Sequence, residues 1–225
     1  MFLGVPESIY AIEAVKLNEP VVFPLPEEDG WLCGLALPEI LDRLPKMDAV
    51  LIGPGLGQSE GTLSVVKAVL EQAECPVVLD ADGINVLCAQ RDILRGRKYP
   101  TILTPHDGEF ARIGGVIGED RMASAAELAR ELGCVVLLKG HRTCVTDGGT
   151  GYCNGTGNPG MAVGGSGDVL AGIIVSLLGQ GIAPLEAAAC GAWLHGAAGD
   201  VCAEEIGQYG MLPTDMLKTL PRLMK

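Results

Sequence analysis

Glycines at positions 164, 165 and 167 surround Ser166 and lead straight into Asp168 and the apolar run Val169-Leu170-Ala171-Gly172. A run of this kind leaves free N–H groups at the first turn of a helix, where the helix dipole adds positive potential. Gly164, Gly165, Ser166 and Gly167 therefore read as an anion hole. Asp168 reads as a carboxylate that takes a proton from a substrate hydroxyl while those amides hold a migrating phosphoryl group. The plainer alternative is that Asp168 caps the helix. The run is not a P-loop, since no Lys follows the last glycine. It is not a dinucleotide fingerprint either, since the G-x-G-x-x-G spacing fails.

Four further runs carry polar or glycine-rich chemistry, and each follows a short apolar stretch. They are Gly53-Pro54-Gly55-Leu56-Gly57, Asp80-Ala81-Asp82-Gly83, Thr104-Pro105-His106-Asp107-Gly108-Glu109 and Lys139-Gly140-His141-Arg142-Thr143. The first lets a backbone approach a ligand closely, or is an ordinary strand-to-helix turn. His106 is placed to hydrogen-bond a substrate, and Glu109 to organise Mg²⁺ through water; the bland readings are a loop histidine and a first-turn glutamate. Lys139 either touches phosphate or ends its strand in solvent, and Asp80 and Asp82 can be turn residues. His195 lies inside an apolar helix and reads as a satisfied core histidine.

The elements that must position these runs follow from periodicity. Ala49 to Gly53, Pro76 to Asp80, Thr101 to Leu103 and Val135 to Lys139 are continuous apolar runs, the pattern of parallel strands buried on both faces. Helices fall between them: one capped by Ser59 and ending near Ala73, a short one from Gly83 to Ala89, one capped by Asp107 and ending at Ile113, and one from Ser124 to Leu132. Thr143 to Cys153, with Asp147-Gly148-Gly149 at its centre, reads as a β-hairpin. Two apolar helices, Asp168 to Leu178 and Pro184 to about Ala203, should be buried. Pro213 can begin a last helix. In open α/β sheets ligands bind beyond the carboxyl ends of the strands, where all four runs lie.

Composition narrows the partners. The chain of 225 residues carries a formal net charge of −12, which disfavours a nucleic-acid surface. Hydrophobic residues make up 48% but aromatics only 4%, so the core is aliphatic. The 32 glycines are about twice the usual ~7% share and show no period. Eight cysteines without a C-x-x-C pair read as reduced core thiols of a cytoplasmic protein. No stretch is apolar enough to span a membrane.

Taken together, the runs resemble the ADP- or ATP-dependent NAD(P)H-hydrate dehydratases of the ribokinase-like superfamily. The matching pieces are Val5-Pro6-Glu7-Ser8, Gly53 to Gly57, Asp80-Ala81-Asp82 with Asn85, Thr104-Pro105-His106 with Gly108-Glu109, Lys139-Gly140 with Thr143, Asn158-Pro159-Gly160-Met161-Ala162, and Gly164 to Asp168. The resemblance implies a ribokinase-like α/β fold, with a mostly parallel sheet covered by helices on both faces. It implies nucleotide-dependent dehydration of hydrated NADH or NADPH, in which the added hydroxyl is phosphorylated and phosphate leaves. Asp168 would be the catalytic base. Gly57, His106 and Asp168 would contact the hydrated dinucleotide, and Lys139, Gly140, His141, Arg142, Thr143 and Gly167 would hold ADP or ATP with Mg²⁺. A homo-oligomer, up to a tetramer, is implied as well.

Val163 and Gly83 depart from the threonine and alanine common in the family. The larger departure is at the beginning. Family domains carry an earlier glycine-rich turn and helix before the Val-Pro-Glu-Ser run, so residues 1–225 read as a single domain lacking at least one βα unit of roughly 30 residues. Two other readings stay open: a hydroxyethylthiazole- or hydroxymethylpyrimidine-type kinase, which would share Asp168 and its anion hole, and a catalytically impaired nucleotide-binding fragment.

Overall fold

In the computed structural model, which describes residues 1–224, the apolar runs form one six-stranded sheet. Strands β5 (Val50–Ile52), β6 (Val77–Leu79), β7 (Thr101–Leu103) and β8 (Val135–Leu138) pair in parallel. The hairpin of β9 (Cys144–Thr146) and β10 (Gly151–Cys153) extends the β8 edge antiparallel. Side chains alternate across the sheet. Val77, Leu79, Leu103 and Val136 join one core with α3 (Glu60–Gln72) and α6 (Arg121–Leu132). Val78, Ile102, Val135 and Leu137 join a second core with α7 (Ser166–Gly179), α8 (Pro184–Ile206) and α9 (Pro213–Leu223). Helices thus cover both faces; β6, β7 and β8 are buried on both sides, as their continuous apolar sequences require, while the edge strand β5 is half-buried.

Before the sheet lies a region the sequence reading left unassigned. Strand β1 (Phe2–Pro6), helix α1 (Glu7–Lys16) and strand β2 (Val21–Leu25) make a small crossover unit whose strands pair in parallel. The Val-Pro-Glu-Ser run is the β1–α1 junction, and the Ser8 hydroxyl donates to Glu27 at 2.8 Å. The two-residue strands β3 (Glu27–Glu28) and β4 (Trp31–Leu32) and helix α2 (Leu37–Arg43) then lead to β5. Helix α4 (Asp82–Val86) follows β6, and α5 (Asp107–Arg112) follows β7.

Several boundaries differ from expectation for local reasons. Ser59 caps α3 as expected, its hydroxyl accepting from the Thr62 amide at 3.0 Å. Helix α5, however, is capped by His106, whose Nδ1 accepts from the Gly108 amide at 2.9 Å, while the Glu109 carboxylate returns to the His106 amide. Helix α6 starts three residues before Ser124, because Asp120 caps it. Helix α7 starts at Ser166, with Gly165 as its cap residue, so Asp168 is not the cap. Helix α8 is not buried all round, since Cys190 and Trp193 are exposed. Cys153 is exposed too, so the thiols are not all core residues.

Candidate active site

The loops beyond β5, β6, β7 and β8 meet the first turn of α7 at one end of the sheet. The β5 and β6 loops touch backbone to backbone: a β-carbon at Gly53 would run into the carbonyl oxygen of Asp80. Ala81, a non-glycine residue, is held at φ 48° and ψ −120°, a conformation that persists only where surroundings impose it. What imposes it is the acidic residue on each side. Asp82 accepts from the Gly57 amide at 2.9 Å and the Gln58 amide side chain at 2.9 Å, fixing the glycine-rich loop. Asp80 points the other way, into the protein, and is 1% exposed.

Three neighbouring strand ends converge on Asp80. Its Oδ1 accepts from the Thr104 hydroxyl at 2.8 Å, just past β7, and from Lys139 Nζ at 2.9 Å, just past β8. The same ammonium lies 3.6 Å from Glu109 Oε2. His106 Nε2 lies 3.3 Å from Glu109 Oε1, and because Nδ1 accepts the helix amides, the proton sits on Nε2. Arg121 grips Asp107 with two hydrogen bonds, at 2.7 and 3.1 Å, and donates to the Lys139 carbonyl at 3.0 Å. That hydrogen bond from Arg121 holds the Asp107 carboxyl below its ordinary range.

At the start of α7, Ser166 departs from the expected anion hole. Its amide donates to the Val163 carbonyl at 3.3 Å, and its hydroxyl meets His195 Nε2 at 3.2 Å. The amides of Gly164, Gly165, Gly167 and Asp168 have no partner among the described residues. The Asp168 side chain is exposed and makes no hydrogen bond or ion pair among the described residues. A charged carboxylate thus stands beside unfilled N–H groups without being used to cap them. His195 is 9% exposed, and burial pushes its imidazole down to about 4, so it is neutral at neutral pH.

A cleft of about 980 Å³ opens here, at the upper end of the ~300–1,000 Å³ usual for ligand sites. His106, Lys139, Gly140, His141, Arg142, Thr143, Ser166 and Gly167 line it. Gly57 and Asp168 do not; Asp168 sits one residue beyond the rim at Gly167, and Gly57 lies under the Trp31 ring. The opposite wall is the loop Asn154 to Met161, and here the sequence reading missed a residue. Asp200 of α8 accepts from the Gly157 amide at 2.8 Å and the Asn158 side chain at 3.0 Å. Asn154 donates to the Ala192 carbonyl at 3.2 Å and Thr156 to the Trp193 carbonyl at 3.0 Å, so the loop is laced along α8.

A family model described as NAD(P)H-hydrate dehydratase matches residues 8–222. A bifunctional NAD(P)H-hydrate repair enzyme of Moorella thermoacetica is 46% identical over 228 residues, covering 99% of this chain and 43% of its own length. The chain therefore spans about two fifths of that curated relative. Among solved structures, the ADP/ATP-dependent NAD(P)H-hydrate dehydratase of Bacillus subtilis, co-crystallised with ATP and Mg²⁺, superposes with a TM-score of 0.80 at 30% identity. It covers 99% of this chain and 79% of that one. A ribokinase of Thermotoga maritima superposes over 98% of this chain and 80% of its own with a TM-score of 0.56 at 16% identity, which makes the fold ribokinase-like.

Proposed function

Because the chain belongs to the NAD(P)H-hydrate dehydratase family, we propose that it restores NADH or NADPH from their hydrated forms, using ADP or ATP with Mg²⁺. The nucleotide occupies the cleft against Lys139 to Thr143 and Gly167. The hydrated dinucleotide lies on the other side of the rim, against Gly57, His106 and Asp168. Asp168 takes the proton of the added hydroxyl as that oxygen bonds the terminal phosphorus of the nucleotide, whose bridging P–O bond breaks. The amides of Gly164, Gly165, Gly167 and Asp168 hold the transferring oxygens. Phosphate then departs with the electrons of the C–O bond, the neighbouring ring carbon gives up a proton, and its C–H electrons form the double bond of the restored reduced nicotinamide.

The residues present suit a metal that arrives with its nucleotide. No group of three or more His, Cys, Asp or Glu among the described residues forms a metal cage. Mg²⁺ is usually bound through one or two carboxylates, water and substrate phosphates. Glu109 would hold it through water, and when bound it offsets phosphate charge. An assembly of several copies, up to a tetramer, and a cytoplasmic location belong to this reading. Exposed Phe2, Ile9, Ile12, Val15 and Val21 are apolar surface such an assembly would cover. No helix among the described residues is long and apolar enough to cross a membrane.

The observation that carries the proposal is the unpaired Asp168 carboxylate beside four unpartnered amides around the first turn of α7, where Gly167 lines the cleft. The test is recovery of reduced-nicotinamide absorbance from hydrated NADH with ADP or ATP and Mg²⁺. We expect recovery in the parent chain and in Cys88→Ser, and a loss of at least about 10²-fold in Asp168→Asn. Undiminished turnover in Asp168→Asn would remove the base from its role. Phosphorylation of a thiazole or pyrimidine alcohol instead would make the chain a kinase.

A further inference from the structure

We propose that Asp80 is a positioning residue for phosphoryl transfer: it holds the Lys139 ammonium facing the first turn of α7, so that the ammonium and the Gly167 and Asp168 amides grip the migrating phosphoryl group from two sides. This rests on the functional reading above and adds to it a device that the motif resemblance leaves out.

A buried carboxylate is retained at a cost unless its partners offset it. Asp80 is 1% exposed, and both hydrogen bonds it accepts fall on Oδ1, from the Thr104 hydroxyl at 2.8 Å and Lys139 Nζ at 2.9 Å. The three residues end three adjacent strands, β6, β7 and β8, so the sheet itself sets their spacing. The neutral hydroxyl fixes the carboxylate, and the carboxylate fixes the ammonium. Glu109 adds a second, looser anchor at 3.6 Å, with its Oε2 already engaged by the His106 amide. Lys139 is thereby deprived of the freedom a lysine stem normally has.

The ammonium so held faces Gly167. A β-carbon at Gly167 would lie 3.5 Å from Lys139 Nζ and 3.9 Å from Asp80 Oδ2. The gap between Gly167 and the ammonium is thus of van der Waals width, and the amides of Gly167 and Asp168 on the same turn have no partner among the described residues. A tetrahedral group with several acceptor oxygens can accept from the ammonium on one side and the amides on the other. Two carboxylates around one ammonium leave local negative charge, so the gap favours a phosphate that brings Mg²⁺ over a bare anion.

Asp80→Asn keeps the shape and the Thr104 contact but removes the charge that orients Lys139. It should lower kcat by about 10²-fold and leave the KM for Mg²⁺–ADP within about threefold, because the interaction strengthens only as the phosphoryl group moves. Lys139→Met should cost as much, and the double variant no more than Lys139→Met alone. Additive losses would make Asp80 a structural residue and overturn the proposal. Thr104→Val, which spares both charges, should lower kcat about tenfold with thermal stability retained; unchanged kcat would count against the proposal even if Asp80→Asn fails to fold. A binding measurement separates this idea from the dehydratase reading. Aluminium fluoride should tighten Mg²⁺-dependent binding of the leaving nucleotide, AMP when ADP is the donor and ADP when ATP is, to the parent chain and not to Asp80→Asn, whether or not hydrated NADH is consumed. Equal tightening in both, or none in the parent, would contradict the proposed grip.

Discussion

Nε2 of His195 lies 3.2 Å from the Ser166 hydroxyl, so the middle of α8 is tied to the first residue of α7. The opening turn that carries the free amides is thus braced by a buried, neutral imidazole. Burial lowers this imidazole from 6.5 to about 4, with a hydrogen bond to the Ser166 backbone opposing the shift only in part.

The pH dependence of stability follows from that brace. Between pH 6.5 and about 4 the unfolded chain binds a proton at His195 that the folded chain refuses, so stability is full above this window and falls as pH drops through it. The loss amounts to about 3 kcal/mol by pH 4. Asp107 and Asp147, whose carboxyls are held below 3.8, act only at lower pH. Urea unfolding at pH 7 and pH 4.5 should differ markedly in the parent chain and much less in His195→Gln. An equal decline in both would assign the effect elsewhere.

Gly57 and Trp31 form a matched pair. A β-carbon at Gly57 would collide with the Trp31 ring, and Gly57 also holds a positive φ of 69°. Gly57→Ala should cost about 2 kcal/mol in thermal or chemical unfolding, from overpacking and backbone strain together. Adding Trp31→Ala should return roughly half, because only the collision is relieved. No recovery in the double variant would show that strain alone accounts for the loss.

Asp200 should matter to nucleotide binding without touching the nucleotide. Asp200→Ala frees the Gly157 amide and the Asn158 side chain, and with them the wall of the cleft opposite Lys139. The KM for ADP should rise about tenfold with kcat nearly unchanged, as expected when ground-state and transition-state binding weaken together. A fall in kcat at constant KM would place Asp200 in the chemistry instead.

Thiol reactivity should divide the cysteines by burial. Cys153 and Cys190 are exposed, whereas burial pushes the Cys134 thiol up to about 12. A disulfide reagent should modify Cys153 and Cys190 quickly in the native chain and reach Cys134 only on unfolding. Peptide mapping that finds Cys134 modified early would contradict the packing of α6 on β8.

Legibility in the sequence tracked how local each cause was. Strands β6 to β8 could be read because burial on both faces writes an uninterrupted apolar run, and the half-buried β5 is apolar throughout as well. The β1–α1–β2 unit could not: no residue of α1 is buried, and its apolar Ile9, Ile12 and Val15 are exposed instead of facing a core. The cap of α5 was misassigned by one residue because an imidazole nitrogen serves where a carboxylate was expected. In the site, the loops after each strand and the glycine turn before α7 were visible as motifs. Asp200 and Arg121 were not, since their partners lie 43 and 18 residues away and only the fold brings them together. Ser166 looked like another amide donor, but its amide turns back to Val163 and its hydroxyl goes to His195.

The central claim is that a phosphoryl group passes to the hydroxyl of the hydrated dinucleotide before that oxygen leaves. Hydrated NADH labelled with ¹⁸O at the added hydroxyl, turned over once with Mg²⁺ and ADP or ATP, tests it directly. Mass spectrometry of the released inorganic phosphate should find the label there, one ¹⁸O for each reduced nicotinamide restored. Unlabelled phosphate, with the ¹⁸O recovered in water, would contradict the account.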